Sequence, residues 1–127
     1  DSCKITESII CDAARMKNAK VHKSIIGIRS MVREGAHLDN VVMMGADFAE
    51  TDAEKAACLA NGRPFLGIGE GAVIERALID KNARLGKNVR MLAEGRPQTV
   101  DEAENYAIQE GILIVPKGAV IPDDAVI

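Results

Sequence analysis

Aliphatic residues recur along this chain with a step that fits neither a strand nor a helix. Between Ile68 and Met91 they fall at Ile68, Ile74, Ile79, Leu85 and Met91, steps of six or five residues, whereas a strand alternates every two and a helix repeats at about 3.6. The third residue after an aliphatic is Gly71, Asn82 or Asn88, and the fourth is Ala72, Leu78, Ala83 or Val89. Gly and Asn tolerate positive φ, so each step reads as a short extended segment followed by a sharp corner. A chain that turns this often forms a parallel β-helix. One aliphatic per side points into a narrow prism, a small residue takes the next inward place, and about eighteen residues close a three-sided coil that stacks on the last at about 4.8 Å.

The same rule runs upstream through Ile5, Ile10, Met16, Val21, Ile26, Val32 and Leu38 to Met44, with every step from Ile26 onward six residues long. It is interrupted from Asp47 to Gly67. There Thr51 followed by Glu54 forms a capping box, AEKAACLA favours a helix, and Gly62 stands where a C-terminal cap belongs, which predicts a helix at about 52–61. A second interruption spans 93–109, where two readings stand: Thr99 and Glu102 capping a helical turn, or Tyr106–Ile108 as a strand rejoining the prism. The repeat resumes at Val115, Ile121 and Ile127, with Gly118 and Asp124 at corners. The pattern therefore predicts one all-β domain over 1–127, a parallel β-helix of about five coils with two excursions. Aliphatic edges are left open at both ends, to be covered by a partner or by solvent.

Composition supports a thin aliphatic core. Apolar residues make up 47% of the 127 but aromatic ones only 2%, and Phe48, Phe65 and Tyr106 all fall outside the regular repeat. The net charge of −3 argues against a nucleic-acid partner. From Ile68 to Met91, however, five basic residues (Arg76, Lys81, Arg84, Lys87, Arg90) stand against three acidic ones (Glu70, Glu75, Asp80), a local balance of +2. No apolar run approaches the length of a membrane span. Cys3, Cys11 and Cys58 form neither a disulfide framework nor a zinc pattern, so a reducing compartment is expected. The start at Asp1, directly against a repeat, reads as part of something longer.

Three segments go beyond a generic repeat: HKSIIGIRS at 22–30, VVMMGADFAETDAE at 41–54 and GIGEGAVIERALIDKNARLGKNV at 67–89, with EGILIVPKGAVI closing the chain. Together they resemble the C-terminal region of the glucose-1-phosphate adenylyltransferases, or ADP-glucose pyrophosphorylases, of bacterial or plant-like type. The resemblance implies a left-handed β-helix that assembles a homotetramer and helps form the site of a phosphorylated effector. It also implies a parent enzyme that joins ATP and glucose 1-phosphate into ADP-glucose and pyrophosphate, using Mg²⁺, for glycogen or starch synthesis. That chemistry belongs to an N-terminal nucleotidyltransferase domain absent from this sequence. The chain itself is then expected to be non-catalytic and to need no cofactor, with its own catalytic domain as a partner, in the cytoplasm or, in a plant or alga, the plastid.

Candidate chemistry is sparse. His22 and His37 would serve a hexapeptide-repeat acyltransferase as general base, but neither has an orienting carboxylate nearby in sequence. Two histidines fall short of the three a β-helical carbonic anhydrase would use for zinc. Asp39, Asp47, Glu50, Asp52 and Glu54 read as solvated charge around the first interruption, without calcium-loop spacing. GIGEG at 67–71 resembles a phosphate loop but precedes no helix, and Gly71 is accounted for as a corner. Lys81 and Lys117 each fall two residues after an inward aliphatic and should point outward. The resemblance implies that lysines in the matching IDKNAR and VxKxA contexts bind the anionic effector, with Arg76 or Arg84 adding a bidentate contact if it shares their face. The alternatives are an acyltransferase and a purely structural oligomerisation module.

Overall fold

A computed structural model describes residues 3–101, 103 and 105–127. The first coil is β1 (Lys4–Thr6), β2 (Ile9–Ile10) and β3 (Arg15–Met16); the second is β4 (Lys20–His22), β5 (Ile25–Ile26) and β6 (Met31–Val32). In the third, β7 (His37–Met43) spans two sides, helix α1 (Asp52–Asn61) interrupts, and β8 (Gly67–Ile68) supplies the third side. The fourth is β9 (Val73–Ile79), again two sides, and β10 (Arg84–Leu85). The fifth holds β11 (Arg90–Met91), an inserted hairpin of β12 (Thr99–Val100) and β13 (Ala107–Gln109), then β14 (Ile112–Val115) and β15 (Val120–Ile121).

Stacking in parallel register turns the sequence repeat into vertical columns. On the third side Met16 pairs with Val32, Val32 with Ile68, Ile68 with Leu85 and Leu85 with Ile121. The predicted inward set of Val32, Leu38, Ile68, Ile74, Ile79, Leu85, Val115 and Ile121 is buried throughout, none more than 2% exposed. In the first coil the same inward phase leaves Ile5 and Ile10 exposed, since no coil stacks beneath them among the described residues.

One phase differs from the sequence reading. Met43, not Met44, is the inward residue, since β7 pairs with β9 by Met43 against Ile79. The step from Leu38 is therefore five residues, the same as that from Ile74 to Ile79 above it. Met44 is 44% exposed. Corners are also less selective than Gly and Asn alone: Glu7, Ala13, Lys23, Arg29, Arg76 and Glu110 take positive φ as well. The tight corner of this fold imposes the left-handed conformation on whatever residue falls there, at a modest cost per residue.

The first excursion forms as its caps predict. Thr51 accepts from the Glu54 N–H, Glu54 returns a bond to the Thr51 N–H, and Gly62 closes the helix at φ 64°. The second excursion is a strand structure, not a helical turn. β12 and β13 pair antiparallel with each other, and β13 antiparallel with β14, so the hairpin extends the sheet instead of rejoining the prism in parallel. Thr99 is therefore a strand residue, while Glu102 lies outside the described residues. Arg96 clamps this hairpin to the prism, donating to the carbonyls of Glu75, Arg76, Met91 and Gly111.

The three outer sides differ in chemistry. The first carries charged columns, with Lys20 in register with His37, and His22 with Asp39. The second carries an outward aliphatic column: Ile9 pairs with Ile25, Ile25 with Val42, Val42 with Leu78 and Leu78 with Ile114. Ile9, Ile25 and Leu78 of that column are exposed. The third side is partly roofed by the α1 excursion.

Candidate functional site

The corner between the second and third sides brings the two candidate lysines together. Val115 pairs with Ile79, and the Gly118 N–H donates to the Lys81 carbonyl at 2.9 Å, so Lys117 stacks directly over Lys81 in the next coil. Their backbones are then one strand spacing apart, about 4.8 Å. Below them the Asn82 N–H donates to the Gly45 carbonyl, and the Ala46 N–H to that of Ile28, which puts Arg29 lower at the same corner. The hairpin inserted at 92–111 does not disturb this alignment, because β14 resumes the ladder on β9.

The first excursion supplies a counter-charge. As the chain leaves the corner, the Asp47 carboxylate lies 3.4 Å from Lys81 Nζ, with both side chains nearly half exposed at 49% and 44%. Asn82 fixes Asp47 from both ends, its Oδ1 accepting from the Asp47 N–H and its Nδ2 donating to Oδ2. The Asp47 carboxyl is held below its ordinary value by the Asn82 hydrogen bond first and Lys81 second, with the Lys117 charge adding to both. An exposed pair of this kind adds little stability. Its effect is on position: Lys81 is held near Asp47, while Lys117 makes no ion pair among the described residues.

Neither arginine named beside the lysines belongs with them. Arg76 sits at the other end of the second side, at a positive-φ corner between the Ile74 and Ala77 segments of β9. Arg84 occupies an outward position on the third side, but the α1 excursion folds over it. It is 8% exposed, and its Nη1 donates to Glu50 Oε2 at 2.5 Å, to the Pro64 carbonyl and to Cys58 Sγ. Glu50 is accordingly not a solvated loop charge: its side chain is 3% exposed, and its other oxygen accepts from the Leu66 N–H. Burial pushes the Glu50 carboxyl up, but the bonds from Arg84 and Leu66 outweigh it and leave the group below its ordinary range. Sequence alone gave no signal for this pair, whose partners are 34 residues apart.

The remaining candidates are dispersed. His22 and His37 are exposed on the first side, and His22 Nδ1 bonds to Thr6 Oγ1. The ladder does place a carboxylate beside His22, that of Asp39 in the next coil, which sequence proximity had hidden. Asp39 itself lies on the first side, apart from the excursion. No group of three or more His, Cys, Asp or Glu side chains is placed to hold a metal ion among the described residues.

The coil geometry, with its aliphatic interior and two excursions, defines a parallel β-helix domain. The family model for the GLGC left-handed parallel beta-helix domain matches residues 1–126, and the chain belongs to that family, the C-terminal domain of glucose-1-phosphate adenylyltransferase. At the level of the family, this domain has a regulatory or oligomerisation role. No helix among the described residues is long and apolar enough to cross a membrane.

Proposed function

We propose that this chain serves a nucleotidyltransferase making ADP-glucose as its regulatory and assembly domain, and that the Lys81–Lys117 corner binds a phosphorylated effector. The parent reaction, with its ATP and Mg²⁺, belongs on this reading to a catalytic domain that packs against the β-helix. The observation that carries the effector site is the stacking of Lys117 on Lys81. Two ammonium groups one coil apart, one loosely held by Asp47, present point charges to a phosphate. An exposed pair is screened at physiological salt, so groups from the catalytic domain complete the site.

In the full-length enzyme, replacing either lysine by alanine is expected to raise the half-activating concentration of the effector about 10- to 100-fold, the loss of one charged hydrogen bond. Fructose 6-phosphate, fructose 1,6-bisphosphate and 3-phosphoglycerate are the effectors to titrate. Unchanged half-activation by all three in both variants would refute the site.

The assembly role is supported by the outward aliphatic column from Ile9 to Ile114 and by the open first coil. Exposed apolar surface of this continuity is a mark of an interface. The isolated chain, without its catalytic domain, is expected to self-associate at high concentration. A monomer throughout a sedimentation-velocity concentration series would count against the column as an interface.

A further inference from the structure

A second basic site lies under the lower edge of the first excursion. There, on the third side, a cavity of about 360 Å³ is lined by Arg15, Arg29, Arg33, Lys55, Phe48 and Leu66. Its shape follows from the columns. Arg15 points outward in register with Met31, both lining the floor, and Gly67 above Met31 packs its backbone closely against it. A Cβ at Gly67 would collide with the Met31 backbone. The roof is the excursion itself, entering at Phe48 and returning at Leu66.

The charges of this cavity are out of balance. Arg29 is anchored by its Nε to the Ala46 carbonyl, and Arg33 by its Nη1 to the carbonyls of Leu66 and Ile68. Arg33 also lies over the Phe65 ring, 5.1 Å from its centroid. None of Arg15, Arg29, Arg33 or Lys55 lies within ion-pair distance of a carboxylate among the described residues. Two acids border the cavity and offset these four cations only in part: Glu50, which bonds to Arg84 and also acts on Arg33, and Asp52, exposed in the first turn of α1. Among these cations sits the Phe48 ring, 39% exposed.

A cavity of this size is within the range that holds small ligands, about 300–1,000 Å³. Guanidinium groups recognise phosphate by paired donors, and they stack on planar rings. We propose that this cavity is an anion site distinct from the lysine corner, taking a small phosphorylated ligand with an apolar or planar body. The loop 47–50 is the wall between the two: Asp47 faces Lys81, and Phe48 faces the arginines. The inference does not rest on the effector reading of the lysines.

The probe is phenyl phosphate, compared with inorganic phosphate and with phenol, titrated calorimetrically into the protein. Phenyl phosphate is expected to bind about tenfold more tightly than inorganic phosphate, and phenol not at all. Arg15→Ala should weaken phenyl phosphate about tenfold; the Arg15 side chain makes no hydrogen bond or ion pair among the described residues, and its backbone bond to the Ser30 carbonyl is kept by alanine, so this variant should fold normally. Phe48→Ala should remove the advantage of phenyl phosphate over inorganic phosphate, and Lys81→Ala with Lys117→Ala should leave both affinities unchanged. The proposal is overturned by the absence of saturable binding at millimolar phenyl phosphate, by unchanged affinity in Arg15→Ala and Phe48→Ala, or by loss of binding only in the lysine double variant.

Discussion

Replacing Glu50 by alanine is expected to cost up to about 3–5 kcal/mol, because it leaves the buried Arg84 guanidinium without its counter-charge. The Arg84 side chain is 10% exposed, so water cannot take the place of the carboxylate unless the excursion lifts. Lifting is the cheaper response. A helix of ten residues is marginal on its own in water, and Cys58 is the only residue of α1 that is buried. The variant should therefore lose amide-exchange protection across 50–66 first, with coils four and five less affected. Replacing both partners, Glu50→Leu with Arg84→Met, should recover most of the loss, since a buried ion pair often adds little over apolar residues of similar volume. An unchanged denaturation midpoint and unchanged exchange in Glu50→Ala would show that the pair does not hold the excursion.

The same pair sets a pH dependence. The Glu50 carboxyl in the folded chain lies below its ordinary value of 4.5, so its contribution is fully present above that value. It is lost as the pH falls through the lower folded value. Wild type should accordingly destabilise in that acid window more steeply than Glu50→Gln, whose side chain does not titrate.

Leu85→Ala is the second large effect, expected at about 2–5 kcal/mol. Leu85 is 1% exposed and stands in a column between Ile68 and Ile121. Two features place it in the upper part of that range. Ladder hydrogen bonds fix the spacing of the coils, so the neighbours above and below cannot close on the void, and the cost of a cavity grows with the volume that fails to collapse. The buried core residues are aliphatic, small or methionine, none of them aromatic. Equilibrium denaturation measures it, and a loss below about 1 kcal/mol would mean that Leu85 is not at the axis of the prism.

Most of the fold was legible because the repeat constrains each inward position separately. Leu85 and Ile74 can be placed from spacing alone, and the α1 caps are local chemistry written into Thr51, Glu54 and Gly62. Met43 was misplaced by one residue because two methionines are adjacent there, and only the pairing with Ile79 chooses between them. The lysine corner was half legible. That Lys81 points outward follows from Ile79, but the alignment of Lys117 over it depends on where β14 resumes after a hairpin whose length gives no register. Arg76 could have been separated from the lysines by counting sides, since Ile74 and Ile79 lie on different ones. The roles of Arg84 and Glu50 could not have been read. Each is ordinary in its local pattern, and only the return of the excursion over the third side joins them.

The excursions leave and re-enter the prism at corners, and this has a consequence for how such a chain can change over generations. Between Val32 and Ile68 the third-side column is restored although a whole helix has been inserted between β7 and β8. The stacked coils do not register the length of what is spliced in at that point, so insertions and deletions there are free to accumulate. A single residue gained between Ile74 and Ile79 is a different matter: it would turn Ile79 outward and break its pairing with Met43 and Val115 together. Descendants of this sequence should therefore vary in length at 47–66 and 92–111 and scarcely at all along the sides.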